Sequence, residues 1–209
     1  MPRRTNGVSK PLFAAPSEGE EPQSCRRCDL WKHATQAVEG EGTRPARIML
    51  VGEQPGDEED LRGRPFVGPA GKVLDQAIAA VGLARSAVFI TNAVKHFKWE
   101  PRGKRRLHKK PGAGEINACR VWLEREIALV EPMVIVALGA TALRALTGAN
   151  LTIESARQQE LRHPRGARIL STYHPSAILR AEDDRVGELR SVLESDLRTA
   201  VRLADGESH

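Results

Sequence analysis

The chain has 209 residues, 40% of them apolar and 28% charged, an ordinary composition for one folded domain with a sizeable core. No apolar run approaches the roughly 18 residues that a membrane helix needs, and residues 1–23, rich in Pro, Gly, Ser and charge, lack the apolar stretch of a secretory signal. The net charge of +5 is concentrated: residues 95–110 hold eight Lys/Arg against one acid, Glu100, which leaves the rest slightly acidic. A basic segment on a near-neutral body is the footprint of a phosphate-binding surface, with a merely solvated charge run as the alternative. Three cysteines are too few for a disulfide framework, and their odd number fits a reducing compartment.

In chain order, residues 1–23 are expected to be a disordered tail and residues 24–205 a single domain. Cys25-Arg26-Arg27-Cys28 has metal or cluster spacing, inside a segment (25–37) that suits a short helix. Residues 44–51 are expected to form the first strand, through the apolar run Ile48-Met49-Leu50-Val51. That strand empties into a stiff turn, Gly52-Glu53-Gln54-Pro55-Gly56, followed by the acids Asp57 to Asp60. Residues 61–69 read as a loop carrying Phe66 between prolines and glycines. A helix follows, with Val73, Leu74, Ala77, Ile78 and Val81 at helical spacing and Gly82 at its end.

Residues 87–91 form a second strand that delivers Asn92 at its carboxyl end. The basic segment 95–114 reads as a loop punctuated by Pro101, Gly103, Pro111, Gly112 and Gly114. A helix over about 115–130 places Ile116, Cys119, Leu123, Ile127 and Val130 on one stripe. Residues 133–138 are a third strand, and Gly139-Ala140-Thr141-Ala142 opens another helix. A weak pair of strands is expected between 151 and 161, then a fourth strand over 167–172 that ends at Tyr173-His174-Pro175-Ser176. The last helix, about 182–203, buries Val186, Leu189, Leu193, Leu197 and Val201.

Strands alternating with helices imply an α/β fold: a three-layer α/β/α sandwich around a four-stranded parallel sheet. In such a sheet the carboxyl ends share one edge, where ligand crevices form. Glu53, Gln54, Asn92 and His174 all lie just past such ends and are expected to converge. Taken singly, each has a bland reading. Glu53 and Gln54 suit an acidic surface turn, Asn92 a turn cap, and His174 a structural histidine. Phe66 suits a core aromatic, His108 one more residue of a basic loop, and Cys119 an inert core thiol.

Together, Gly52-Glu53-Gln54-Pro55-Gly56, Phe66, Asn92 and His174-Pro175-Ser176 resemble the uracil-DNA glycosylase superfamily. The Gly-Glu-x-Pro-Gly turn, Glu59-Asp60 and the paired cysteines resemble its iron–sulfur branch, family four. Lys104-Arg105-Arg106-Leu107-His108 resembles the UdgX group, which traps itself covalently on uracil-containing DNA. The resemblance implies a substrate pocket of Gly52, Phe66, Asn92 and Ser176, in which a flipped pyrimidine stacks on Phe66. The amide of Asn92 pairs with uracil N3–H and O4 and mismatches cytosine, where donor and acceptor are reversed. His174 faces the uracil O2, where charge accumulates as the glycosidic bond breaks. His108 is the implied nucleophile, with Glu53 orienting it or stabilising the cationic product, and Gln54 alongside as a polar residue that is not a base. Lys104, Arg105, Arg106, Lys109 and Lys110 are the implied DNA contacts.

Cys25, Cys28 and Cys119 supply three thiolates, and His96 stands where the family-four pattern has a fourth cysteine. The expectation is a Cys3His [4Fe–4S] cluster, with zinc as the rival. The implied partners are uracil-containing DNA, single-stranded for preference, and free uracil, for a monomer in a bacterial cytoplasm. Two rival functions stay open: a glycosylase that releases free abasic DNA over many turnovers, and a non-catalytic cluster protein that binds nucleic acid.

Overall fold

The computed structural model describes residues 17 and 19–206. Most of the expected tail lies outside those residues, but residues 20–23 pack on the body. The Arg27 guanidinium pairs with Glu20, and the Gln23 amide bonds both the carbonyl and the N–H of Ala37. In place of the expected helix over 25–37 there are two 3-10 turns, Pro22–Ser24 and Asp29–Lys32. Cys25 and Cys28 both have extended backbone, which interrupts any longer helix.

The first strand, β1, is Ile48–Gly52, buried throughout. It starts later than expected, past Pro45, which has no N–H to give to a ladder. The acids beyond the turn form a helix, α1 (Asp57–Arg62), where the end of an acidic turn and the start of the 61–69 loop were expected. Four acids in its first turn complement the exposed N–H groups of the helix start. Glu59 accepts the N–H of Gly56 at 2.9 Å and reaches the N–H of Gly68 at 3.0 Å. Then come α2 (Pro69–Ala80) and β2 (Val88–Asn92).

The basic segment is a hairpin, not an irregular loop: β3 (Trp99–Arg102) pairs antiparallel with β4 (Arg105–His108). Next are α3 (Ala113–Val130), β5 (Val134–Leu138) and α4 (Ala140–Thr147). Instead of the weak strand pair there is a short helix, α5 (Ile153–Arg157), capped by the Thr152 hydroxyl, and a two-residue strand, β6 (Leu161–Arg162). The chain closes with β7 (Arg168–Thr172), α6 (Pro175–Arg180) and α7 (Asp183–Ala204).

The sheet order is β2-β1-β5-β7-β6. The four expected strands are parallel, and β6 adds an antiparallel edge to β7. Along β1 the side chains alternate between two cores. Met49 and Val51 join Trp122, Leu143 and their neighbours on α3, α4 and α5, while Ile48 and Leu50 join Leu74, Ile78, Leu193 and Leu197 on α2 and α7. Leu193 and Leu197 are fully buried, and truncating either to alanine costs about 2–5 kcal/mol. Across the outer edge of β2, Glu41 exchanges both backbone hydrogen bonds with Ile90, at 2.9 and 2.8 Å.

This topology aligns the functional ends. Gly52 lies beside Asn92, and Leu138 beside Thr172, two residues before His174.

Candidate active site

At that shared edge lies a cleft of about 800 Å³, walled by Glu53, Phe66, Asn92, Thr141, His174 and His108. Its floor requires a glycine. A Cβ on Gly52 would stand 2.4 Å from Asn92 Oδ1 and 2.5 Å from the tip of the Phe66 ring. Phe66 sits between α1 and α2 with φ +54°, a left-handed conformation that a bulky residue adopts only under constraint. Gly71 permits that conformation, since a Cβ there would lie 1.8 Å from the Phe66 carbonyl oxygen. The buried ring is tilted 32° to that of His174, with centroids 5.8 Å apart.

Asn92 closes β2 and is 2% exposed. Its Oδ1 is buried without a hydrogen-bond partner among the described residues. A buried acceptor left open at a cleft is one that a ligand's N–H satisfies on binding. His174 caps α6: its Nδ1 accepts the N–H of Ser176 at 3.1 Å and lies 2.8 Å from the Ser176 hydroxyl. With Nδ1 used as an acceptor, the ring proton resides on Nε2, as a donor. Burial pushes the His174 pKa down to about 4, and the charges of Arg180 and His108 push the same way. The ring is therefore a neutral donor at pH 7.

The Glu53 carboxylate joins two elements. Oε2 accepts from the Thr141 hydroxyl on α4, and Oε1 lies 3.3 Å from His108 Nε2. Thr141 was not among the expected site residues. The available signal was its position two residues past Gly139, at the same sheet edge as Asn92 and His174. His108 ends β4 and is half-exposed, its ring centroid 6.1 Å from that of Phe97.

Gln54, expected beside Glu53 in the chemistry, turns its amide to the hairpin instead. Nε2 donates to the carbonyls of Lys98 and Lys109 at 3.1 and 3.0 Å, and Oε1 accepts the N–H of Lys98 at 3.2 Å. Both N–H donors and one acceptor direction of that side chain pin the base of the hairpin, while the residue still lines the cleft.

The five expected DNA-contacting cations divide. Arg106 is docked against the body, 2.6 Å from both Asp57 and the fully buried Asp60. Its guanidinium also lies over Phe97 and Trp99, at 5.4 and 5.6 Å. It holds the hairpin down and is not free for phosphate. Lys109 pairs with Glu100 at 2.9 Å. Lys104 and Arg105 are exposed at the hairpin tip, and Lys110 reaches the cleft. Trp99 Nε1 donates to the carbonyl of His33, which fastens the hairpin to the N-terminal segment.

The cysteines gather between that segment and α3. Cys25 Sγ accepts from Trp122 Nε1 at 3.2 Å, and Cys119 Sγ accepts the N–H of Lys95 at 3.1 Å. Burial pushes the Cys119 thiol up to about 12, with the other two sulfurs adding to the rise. Burial also raises Cys28 and lowers His96. A neutral imidazole and sulfurs that accept N–H bonds are the donor chemistry of an iron–sulfur site. Among the described residues no set of three or more His, Cys, Asp or Glu is close enough to hold a single metal ion. Three thiols and one imidazole are a donor set that either an iron–sulfur cluster or a zinc ion can use.

A flat ring, an open amide acceptor and a neutral imidazole donor surround one cleft beside a cationic hairpin. Chemically, that arrangement can take a planar base from a phosphate backbone. The chain belongs to the uracil-DNA glycosylase superfamily, whose family model matches residues 39–198. It is 40% identical over 193 residues to the Type-4 uracil-DNA glycosylase of Sulfurisphaera tokodaii, spanning 88% of this chain and 82% of that protein. To the Type-4 enzyme of Thermotoga maritima it is 38% identical over 182 residues, 87% of this chain and 90% of that one. Similarity extends to a Type-5 uracil-DNA glycosylase of Pyrobaculum aerophilum, at 32% identity over 73% of this chain and 71% of the relative.

Proposed function

We propose that this protein excises uracil from DNA and then remains covalently attached to the sugar through His108. The observation that carries the reading is the meeting of His108 with Glu53 at the wall of the cleft, 3.3 Å apart, on a docked hairpin. The flipped uracil stacks on Phe66 and gives its N3–H to the open Oδ1 of Asn92. As the C1′–N1 bond breaks, its electron pair leaves with the base, and His174 Nε2–H stabilises the charge that gathers on O2. The sugar is left electron-poor at C1′. A lone pair of the His108 imidazole forms the new N–C1′ bond, and the resulting cation sits against the Glu53 carboxylate. A tethered nucleophile at this position outcompetes diffusing water, and the C–N bond does not readily hydrolyse. Single-stranded DNA is the favoured substrate, because its bases flip without loss of pairing.

Cys25, Cys28, His96 and Cys119 are assigned to a [4Fe–4S] cluster that ties the N-terminal segment and the root of the hairpin to α3. Iron and sulfide near four each per chain, with a brown colour, are expected. Stoichiometric zinc in colourless, anaerobically prepared protein would overturn that assignment.

The function is tested by incubation with oligonucleotides containing uracil or thymine, followed by denaturing electrophoresis and peptide mass spectrometry. An SDS-stable adduct with uracil DNA alone, its mass on the peptide holding His108, is expected. Free abasic product without adduct would leave a releasing glycosylase, and salt-sensitive binding without cleavage would remove the enzyme reading altogether.

A further inference from the structure

Beneath the cleft lies a buried charge that the chemistry above does not use. Lys95 is 0% exposed, and all three N–H directions of its ammonium are engaged. Nζ donates to the backbone carbonyl of Asn92 at 2.8 Å, to Thr91 Oγ1 at 2.6 Å and to Glu126 Oε2 at 2.6 Å. Glu126 in turn accepts from Thr91 Oγ1 and from the N–H of Gly40, both at 2.8 Å. The backbone of Lys95 gives its N–H to Cys119 Sγ and accepts from Val38. One polar knot thus joins β2, α3, the N-terminal segment and the cysteine site.

We infer that Lys95 is the positioning residue for Asn92. Among the described residues no hydrogen bond fixes the reading face of that asparagine at Oδ1, so its aim follows from its main chain, held also by the ladder to β1, and from the contacts at Gly52. The ammonium of Lys95 curls back three residues to hold that main chain by its carbonyl. A buried ion pair is an expensive way merely to fill space, since apolar residues of equal volume usually serve stability as well or better. Its contact with the base-reading residue gives it a reason to be there.

This inference rests on the uracil-excision reading, and the test separates the two. Lys95→Met/Glu126→Gln removes both charges together, so that neither is stranded. Single-turnover excision at saturating uracil DNA, affinity for abasic-site DNA and the thermal midpoint are measured in it and in wild type. The same change is then made in an Asn92→Ala background. Expected are a midpoint within a few degrees of wild type, unchanged abasic-DNA affinity and excision slowed by about tenfold or more. In the Asn92→Ala background the slowing should shrink to less than about twofold, because the residue acted upon is gone. Equal slowing in both backgrounds, or none in either, would overturn the inference. A double variant that fails to fold is replaced by Lys95→Gln/Glu126→Gln, an uncharged hydrogen-bonding pair whose shorter residue 95 does not reach the Asn92 carbonyl, with the same outcomes read. Wild type that excises no uracil would instead remove the reading beneath.

Discussion

The floor of the cleft is set by bare contact: Gly52 lets the Phe66 ring and Asn92 Oδ1 approach to distances that admit no additional carbon. The hairpin beside it is set by charge, through Arg106 on Asp57 and Asp60, with neutral hydrogen bonds from the amide of Gln54 at its base. Contact of the first kind fixes a shape and is indifferent to salt. Charge docking fixes a position while leaving the tip exposed for a second ligand. Under the proposed function, recognition of the base falls to the rigid part and capture of the sugar to the docked part, so the two should fail separately.

The sharpest way to break that division is His108→Ala. It should abolish the SDS-stable adduct while uracil DNA still binds, and some free abasic product is expected. An adduct that persists, or maps to His174, would merge the two regions into one. Asn92→Asp attacks the other side, placing an anion beside a leaving group that becomes anionic. Excision should fall by a factor on the order of hundreds, as for one lost polar contact of about 3 kcal/mol. Near-normal rates would make Asn92 a turn residue only.

The pH response sharpens the comparison further. The folded pKa of His174, about 4, lies below the ordinary 6.5. Between those values the unfolded chain binds a proton that the folded chain refuses. His174 therefore costs no stability above pH 6.5 and progressively more as pH falls towards 4, up to roughly 3 kcal/mol. Thermal midpoints from pH 7 to 4.5 should drop more steeply in wild type than in His174→Gln; parallel slopes would refute this. Asp60→Asn, which weakens the grip on Arg106, should slow adduct formation by about tenfold, the scale of one charge-assisted hydrogen bond. Affinity for free uracil should not change. The smallest effect belongs to Arg105→Ala at the tip, where the log–log salt slope of DNA binding should lessen by about 1.

Much of the recognising part was legible in the residues. The strands β1, β2, β5 and β7 are contiguous apolar runs, and a parallel sheet has one carboxyl edge, so Asn92 and His174 had to meet. The hairpin was not legible. Its strands are charged and largely exposed, Pro101 inside β3 argues against a strand, and without one buried face there is no alternation to read. The partners of Arg106 lie on α1, whose acids read as a surface turn because their value as a helix start emerges only once the helix exists. Thr141 was hidden for a related reason: its hydroxyl matters through a carboxylate 88 positions away.

The sheet also has two ends sideways. At one, β6 runs for only two residues; at the other, the Glu41 exchange with Ile90 occupies the middle of β2. Neither flank offers a long row of free N–H and C=O groups, the template on which chains zip to copies of themselves. Blunted flanks of this kind close off fibril-like pairing between copies of the chain.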